Sequence, residues 1–521
     1  MFKYNPLHGL DFYKTGHMPQ YPTGTETVYS NLTARSNKHF SWKQAGKGYV
    51  VLWGIQGFLQ EFLIDGWNEG FFNLPKEQCV KAFKRRMENS VGPIDASHIE
   101  ALHDLGYLPI KVKSLREGTL VPIGIPMFTV VNTLKEFFWL TNLLETIIST
   151  ELWKPITTAT IAYEYRKLCE KFSDTTCDNS EHIMFQCHDF SMRGMSGWHD
   201  AARSSTGHLL SFTGTDTVCA IDYLEQYYMA NVETELVGAS VPATEHSVMC
   251  MGGKDGEQFT VERLMTETYP TGIFSCVLDT WDFFKVLTEM LPALKDKIMS
   301  RDGKFVVRPD SGDPVKIICG YTKNETLEID GAVYCCEALG VGTEMFPDRS
   351  AKPLSEAEVK GAVELLWETF GGSINSKEYK VLDEHIGLIY GDSITLVRAN
   401  EIFKRLEEKG FAASNIVFGI GSYTYQMITR DTFGMAIKAT WGMVDGVSVD
   451  IQKDPATDDG TKKSLCGRIM VYRDKGTGEL TCKDRCSELE ETMGELKPVF
   501  IDGRAVRQVS LEDCRKVLSA Q

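Results

Sequence analysis

Seven short apolar runs in this chain are each followed by a polar loop and then by a helical pattern. Met184-Phe185-Gln186-Cys187 leads to His188-Asp189-Phe190, Leu209-Leu210-Ser211-Phe212 to Thr213-Gly214-Thr215-Asp216-Thr217, and Ser240-Val241-Pro242-Ala243 to Thr244-Glu245-His246-Ser247. Residues 274–278 lead to Asp279-Thr280, 305–307 to Arg308-Pro309-Asp310-Ser311-Gly312, 387–390 to Gly391-Asp392-Ser393, and 416–418 to Gly419-Ile420-Gly421-Ser422. From Phe190 to Asp216 is 26 residues, then 30 to His246, 33 to Asp279 and 31 to Asp310, and Asp392 to Gly421 is 29. A strand with its crossover helix needs about 30 residues, so this beat predicts a parallel sheet. Polar loops that always follow the strand match the C-terminal rim of a β/α barrel. An open doubly wound sheet gives the same local pattern, and the even spacing favours the barrel.

The beat breaks once, with 82 residues from Asp310 to Asp392, which places an insertion at about 313–385. Within it, 326–336 reads as a hairpin, and Ser355-Glu356-Ala357-Glu358 as a capping box opening a helix to about 370 that Gly371-Gly372 ends. Before the beat, 50–53 leads into an amphipathic helix over 56–63, 110–113 and 127–131 read as strands, and helices follow over 137–149 and 157–172. After it, 446–451 alternates as a strand and a closing helix opens at Ser510, with Asp513 three residues on. The expected organisation is a barrel-like catalytic domain over 179–427 and a mixed, strand-rich domain built from 1–178 and 428–521.

Composition narrows the function classes. A formal net charge of −16 argues against a broad nucleic-acid surface, but not against a local basic pocket. Hydrophobic residues at 43% and aromatics at 11% exclude a disordered chain. The most apolar stretch, 127–150, contains Lys135, Glu136 and Glu145, so it reads as core and not as a membrane span. The start shows no apolar run of signal-peptide length, and the 14 cysteines lack CxxC pairing. The expectation is a cytoplasmic protein with reduced thiols, no structural zinc, and no membrane or nucleic-acid partner.

The predicted rim gathers Asp216, Asp279, Asp310, Asp392, Arg193, Arg308 and His246. Carboxylates on separate strand ends suit Mg²⁺ or sugar hydroxyls, and arginines beside them suit phosphate or carboxylate. Gly391-Asp392-Ser393 and Gly419-Ile420-Gly421-Ser422 each open a helix whose N–H groups can face an anion. Together these predict a phosphorylated sugar held at a barrel mouth. Taken singly, each residue has an ordinary reading: Asp392 or Ser393 as a helix N-cap, Arg308–Asp310 as an ion pair, His246 and Phe190 as core. Their equivalent positions after successive strands favour the site. No P-loop, HExxH or GxSxG motif is present.

Asp11-Phe12-Tyr13-Lys14, His188-Asp189-Phe190, Arg193-Gly194, Gly214-Thr215-Asp216-Thr217, Pro242-Ala243-Thr244-Glu245-His246-Ser247, Arg308-Pro309-Asp310-Ser311-Gly312, Gly391-Asp392 and Thr429-Arg430-Asp431 resemble, in order, the nicotinamide phosphoribosyltransferase family of type II phosphoribosyltransferases. The resemblance implies an irregular β/α barrel with a strand-rich second domain, working as a homodimer with shared active sites. It implies transfer of phosphoribosyl from phosphoribosyl pyrophosphate to nicotinamide in NAD salvage, with Mg²⁺ as cofactor and ATP as a co-substrate that phosphorylates His246.

By the same resemblance, Phe190 stacks on the pyridine ring and Tyr13 stacks on its other face from the partner subunit. Arg308 and Ser275 bond the carboxamide with Arg193 nearby, and Asp216 accepts from the amide NH₂. Facing nicotinate instead, Asp216 would meet like charge at a cost of about 1–4 kcal/mol for a separation of about 4 Å. Asp310 and Asp392 hold ribose hydroxyls, and Asp279 and Asp310 lie where Mg²⁺–pyrophosphate binds. Gly391, Gly421 and Ser422 cradle the 5′-phosphate, while Arg35, Arg430, Lys438 and Lys453 surround the phosphates, some from the partner chain. His246, Asp279 and Asp310 are the implied catalytic residues, with Glu245 and Asp279 both open as the group that orients His246. The competing readings are a nicotinate phosphoribosyltransferase, a non-catalytic binding or signalling protein, and a barrel lyase or isomerase. The last needs a base such as lysine at a strand end, which none of the seven loops offers.

Overall fold

A computed structural model describes residues 5–339, 352–452 and 465–521. Six parallel strands position the rim, in the spatial order Gly214–Thr215, Cys187–Asp189, Val417–Ile420, Ile386–Tyr390, Phe305–Arg308 and Phe274–Val277. Cys187–Asp189 and Phe274–Val277 are buried at every residue, as expected where helices cover a parallel sheet. The two sheet edges are joined by residues 239–243. Ala239 bridges to Gly214 and Ala243 to Ser275, both in parallel sense. The Thr215 N–H donates to the Ala239 carbonyl at 2.9 Å and the Ser275 N–H to the Pro242 carbonyl at 2.9 Å. The result is an irregular barrel whose seventh stave is kinked.

Four strand expectations change on the structure. The run 184–187 begins in the short 3₁₀ helix Glu181–Phe185, and the strand falls on Cys187–Asp189, reaching into the expected loop. The run 240–243 keeps only isolated bridges, because Pro242 has no N–H to give to a ladder. The run 209–212 is the end of helix Trp198–Leu209 and its turn, and the strand falls on Gly214–Thr215. A four-residue apolar run cannot distinguish a buried helix end from a strand. The run 416–418 continues through Gly419 to Ile420 in strand Val417–Ile420. Gly419 is required there, since a Cβ would meet Phe190 Cδ2 at 2.5 Å and Gly391 Cα at 2.8 Å.

The helices expected over 137–149 and 157–172 become a short helix Leu140–Leu143 and one continuous helix Glu145–Thr176 with Pro155 inside it. An internal proline costs about 3 kcal/mol. Burial offsets that cost: Ile148, Leu152, Ile156, Ala159, Ala162 and Tyr165 are all fully buried, and a large apolar side chain contributes about 1.5–3 kcal/mol on burial. Ile147, Ile148, Leu152 and Ile156 pack in the core of the antiparallel sheet. Ile161, Tyr165, Leu168 and Phe172 pack in the barrel core.

That antiparallel sheet has seven strands, in the order Val447–Asp450, Met435–Val444, Thr25–Ala34, Pro126–Asn132, Ile110–Ser114, Lys497–Ile501 and Arg504–Ala505. Its longest pairing joins Thr25–Ala34 to Met435–Val444, so both ends of the chain build one layer. The strands read at 110–113, 127–131 and 446–451 all lie in it.

In the insertion, Thr326–Ile329 pairs with Ala332–Cys335 as the expected hairpin, and Ser355 and Glu358 form the capping box. The helix beyond it is split at Gly361 into Glu356–Lys360 and Ala362–Phe370. Gly361 has φ +82°, and a Cβ there would meet the Gly320 nitrogen at 2.2 Å. A Cβ on Gly320 would in turn meet the Val359 oxygen at 2.1 Å, so two backbones meet where only glycines fit. The closing helix Leu511–Ser519 is capped by Ser510, which accepts from the Asp513 N–H. All 14 cysteines are free thiols. Among the described residues, no helix is long and apolar enough to cross a membrane.

Gly361→Ala should lower the unfolding free energy by at least about 1–3 kcal/mol, from left-handed strain plus the clash with Gly320. Equilibrium denaturant unfolding checks this, and an unchanged midpoint would contradict the back-to-back packing.

Candidate active site

Loops at the C-terminal ends of the barrel strands line an open cavity of about 880 Å³. Phe190, Arg193, Asp216, His246, Arg308, Asp310, Gly391, Asp392, Gly421 and Ser422 all contribute to its wall. A second, mainly apolar cavity of about 420 Å³ runs between the strands and includes Ser275. The two share Phe190, Asp216, Ala243 and Arg308, which therefore stand at their junction.

At that junction Arg308 makes a two-pronged ion pair with Asp310: Nε to Oδ1 at 2.8 Å and Nη2 to Oδ2 at 3.0 Å. Its guanidinium also lies over the Phe190 ring, 4.9 Å from the centroid, in cation–π range. Gly391 makes this possible, because a Cβ there would sit 2.1 Å from Asp310 Oδ1 and 2.7 Å from Arg308 Nε. Phe190 is fixed through its backbone, whose N–H donates to the Ile420 carbonyl at 2.9 Å. Asp216 accepts a hydrogen bond from the Ser240 hydroxyl at 2.5 Å, which holds one carboxylate oxygen in place. Ser275 is buried with its hydroxyl unpartnered among the described residues, a donor and acceptor available to a ligand.

The histidine is half exposed and its orienting partner is Asp279. His246 Nε2 lies 3.0 Å from Asp279 Oδ1, while Glu245 accepts from the Ser247 hydroxyl instead. The other Asp279 oxygen accepts from the Asp310 N–H at 2.9 Å and the Ser311 hydroxyl at 2.5 Å. Burial alone would push the Asp279 carboxyl up. The Ser311 hydroxyl, the Asp310 N–H and His246 outweigh burial and hold it below the usual carboxylate range. Asp279 is therefore ionised near neutrality. The His246 Nε2–H donates to it, which leaves Nδ1 with the lone pair.

Thr395, not Asp392 or Ser393, caps the helix Leu396–Glu408, so Asp392 is free of the N-cap role. Gly421 opens the short helix Ser422–Tyr425. Gly194 abuts it so closely that a Cβ would meet Ser422 Oγ at 2.0 Å.

Tyr13, Arg35, Arg430 and Lys438 do not line this cavity in their own chain. Tyr13 is 65% exposed on the short helix Phe12–Gly16. Arg35, Arg430 and Lys438 are exposed at one end of the antiparallel sheet, where Arg35 Nε donates to the Gly434 carbonyl at 3.1 Å. Lys453 lies outside the described residues. Sequence reasoning missed Ser240 and Ser311, the hydroxyls that orient Asp216 and Asp279. Ser311 follows Asp310 directly and Ser240 opens a predicted strand, so both were visible as positions but not as partners.

Comparison with known proteins gives a concordant picture. A family model described as the nicotinate phosphoribosyltransferase (NAPRTase) family matches residues 185–500. A protein of Acinetobacter baylyi named nicotinamide phosphoribosyltransferase is 51% identical, over 100% of this chain and 98% of its own length. One of the same name from Mycoplasma pneumoniae is 32% identical over 89% of this chain and 97% of its own. Among solved structures, a nicotinate-nucleotide pyrophosphorylase from Pyrococcus furiosus superposes with a TM-score of 0.57 at 14% identity, covering 99% of this chain and 95% of that one. Human nicotinic acid phosphoribosyltransferase superposes at 0.53 with 14% identity, covering 98% and 93%.

The depressed Asp279 carboxyl has a pH consequence. Its stabilising contribution is complete above the ordinary aspartate value of about 4 and is lost as pH falls through the lower folded value. Denaturant unfolding from pH 5 downward should show a steeper loss of stability for the wild type than for Asp279→Asn. Parallel pH profiles would remove this account of the Asp279 environment.

Proposed function

This chain belongs to the nicotinate phosphoribosyltransferase (NAPRTase) family, and from that membership we propose that it transfers the 5-phosphoribosyl group of phosphoribosyl pyrophosphate to nicotinamide, giving nicotinamide mononucleotide and pyrophosphate in NAD salvage. It is an enzyme of the pentosyltransferase class, with a type II phosphoribosyltransferase fold.

The observation that carries the choice of nicotinamide is the Asp216 carboxylate at the cavity junction, oriented by Ser240. A carboxylate there accepts a charge-assisted hydrogen bond from an amide NH₂ and repels a carboxylate. Ser275 and Arg308 supply donors for the carboxamide oxygen beside Phe190, which offers the ring for stacking. The pyridine nitrogen already has a free lone pair, so no base is required. The barrier lies in departure of pyrophosphate with positive charge growing at the ribose C1. In this reading Asp310 and Asp392, both on the cavity wall, hold the ribose hydroxyls. Arg193 lines the larger cavity and not the apolar one that holds Ser275, so in this reading it moves from the carboxamide to the 5′-phosphate, beside Gly391, Gly421 and Ser422.

Asp279 and Asp310 fit a Mg²⁺ that arrives on pyrophosphate: Asp279 Oδ1 and both Asp310 oxygens each keep a lone pair beyond one present partner, and Mg²⁺ ordinarily takes only one or two carboxylates. Such an ion would neutralise charge on the leaving group. His246 faces the same cavity with Nδ1 available. Nδ1 is the nucleophile for the γ-phosphorus of ATP, with ADP leaving, and Asp279 stabilises the resulting charge on the ring. Tyr13, Arg35, Arg430 and Lys438 reach the site from the second copy of a homodimer in this reading.

Mononucleotide formation with nicotinamide and nicotinate as competing bases, with and without ATP, tests the proposal. Asp216→Asn should cut the nicotinamide-to-nicotinate ratio of kcat/KM by roughly tenfold, and an unchanged ratio would sink the specificity assignment. His246→Ala should abolish ATP hydrolysis while leaving base-dependent synthesis, so surviving ATPase activity would rule out its phosphorylation.

A further inference from the structure

Behind the wall assigned to the 5′-phosphate, four side chains from three separate segments close a hydrogen-bonded ring. Lys154, on helix Glu145–Thr176, gives its ammonium to Asp200 Oδ2 at 2.6 Å and to Gln426 Oε1. Gln426 Nε2 donates to Ser196 Oγ at 2.5 Å, and the Ser196 N–H donates back to Asp200 Oδ2 at 2.8 Å. The Lys154 side chain is only 9% exposed. Lys154, Asp200 and Gln426 are not part of the cavity wall, so the ring acts from behind it.

The ring ties together the two loops that line the phosphate end. Ser196 lies two residues beyond Gly194 in the loop that carries Arg193, and Gln426 directly follows the helix Ser422–Tyr425. These loops already touch at Gly194 and Ser422. Each contains little regular structure of its own: a three-residue turn in one and a single helical turn in the other. Helix Glu145–Thr176 is held in both hydrophobic cores, which makes it a fixed post for both. The base end is anchored by other groups: Phe190 through Ile420, Asp216 through Ser240 and Arg308 through Asp310.

We propose that Lys154 is a positioning residue that sets the spacing of Arg193 from Ser422, and thereby governs capture of the phosphoribosyl donor without governing recognition of the base. This rests on the phosphoribosyl-transfer reading of the cavity. Burial of Lys154 strengthens its own bonds to Asp200 and Gln426, and loss of the ammonium would leave Asp200 without its cation.

Steady-state kinetics on the full-length protein separate the two substrates. In Lys154→Met, KM for phosphoribosyl pyrophosphate should rise about tenfold while kcat and KM for the base stay within about twofold. Ser196→Ala opens the ring on an exposed loop without touching the charge pair, so it remains informative if Lys154→Met does not fold, and it should raise the same KM about threefold. Adding Ser196→Ala to Lys154→Met should produce no further rise, because the members act as one unit. An unchanged donor KM in both folded variants, or equal rises for donor and base, would overturn the proposal. A wild type that makes no mononucleotide from either base would overturn the underlying reading, and an active wild type with unaffected variants would overturn only the role of Lys154.

Discussion

The burial of helix Glu145–Thr176 in two cores at once is the constraint on which the rest of the molecule depends. Its first half is covered by the antiparallel sheet built from both chain ends, and its second half by the barrel. This double burial explains why the chain tolerates Pro155 in mid-helix, since the lost backbone bond is small beside the apolar surface removed from water. It also explains how a barrel with a kinked seventh stave keeps its shape. The rim loops are braced against a rod that cannot shift without opening both cores.

At the rim, electrostatics solve a problem set by composition. The chain is acidic overall, yet phosphoribosyl transfer brings a polyanion to a surface rich in aspartate. The structure engages those carboxylates individually. Asp310 is paired with Arg308, Asp279 is held by two N–H or O–H donors and His246, and Asp216 is held by Ser240. Each is oriented by a donor from its own neighbourhood, so none is left as an unpaired charge. Glycines 391 and 419 remove the side chains that would separate these groups.

Much of this was legible in order and not in detail. The strand–loop–helix beat located the site loops because strand length and helix length are local properties. It misplaced the stave at 240–243, since a proline-broken segment held by single bridges has no periodicity to read. It divided one helix at Pro155 and failed to divide another at Gly361, because propensity is local while the burial of the first and the Gly320 contact of the second are not. The candidate acids and His246 were recognisable from their loops. Their orienting hydroxyls, and the ring from Lys154 to Gln426, involve residues tens to hundreds of positions apart.

By itself the sequence determined the candidate site residues, the parallel core and the family resemblance, because each rests on residue types at short spacing. Tertiary structure alone decided which partner each side chain meets: Asp279 rather than Glu245 for His246, Thr395 rather than Asp392 for the helix cap, and Lys154 for both Asp200 and Gln426. The physical reason is range. Hydrogen bonds form only within about 3 Å, and which donors come that close to a carboxylate is set by how whole helices and strands pack.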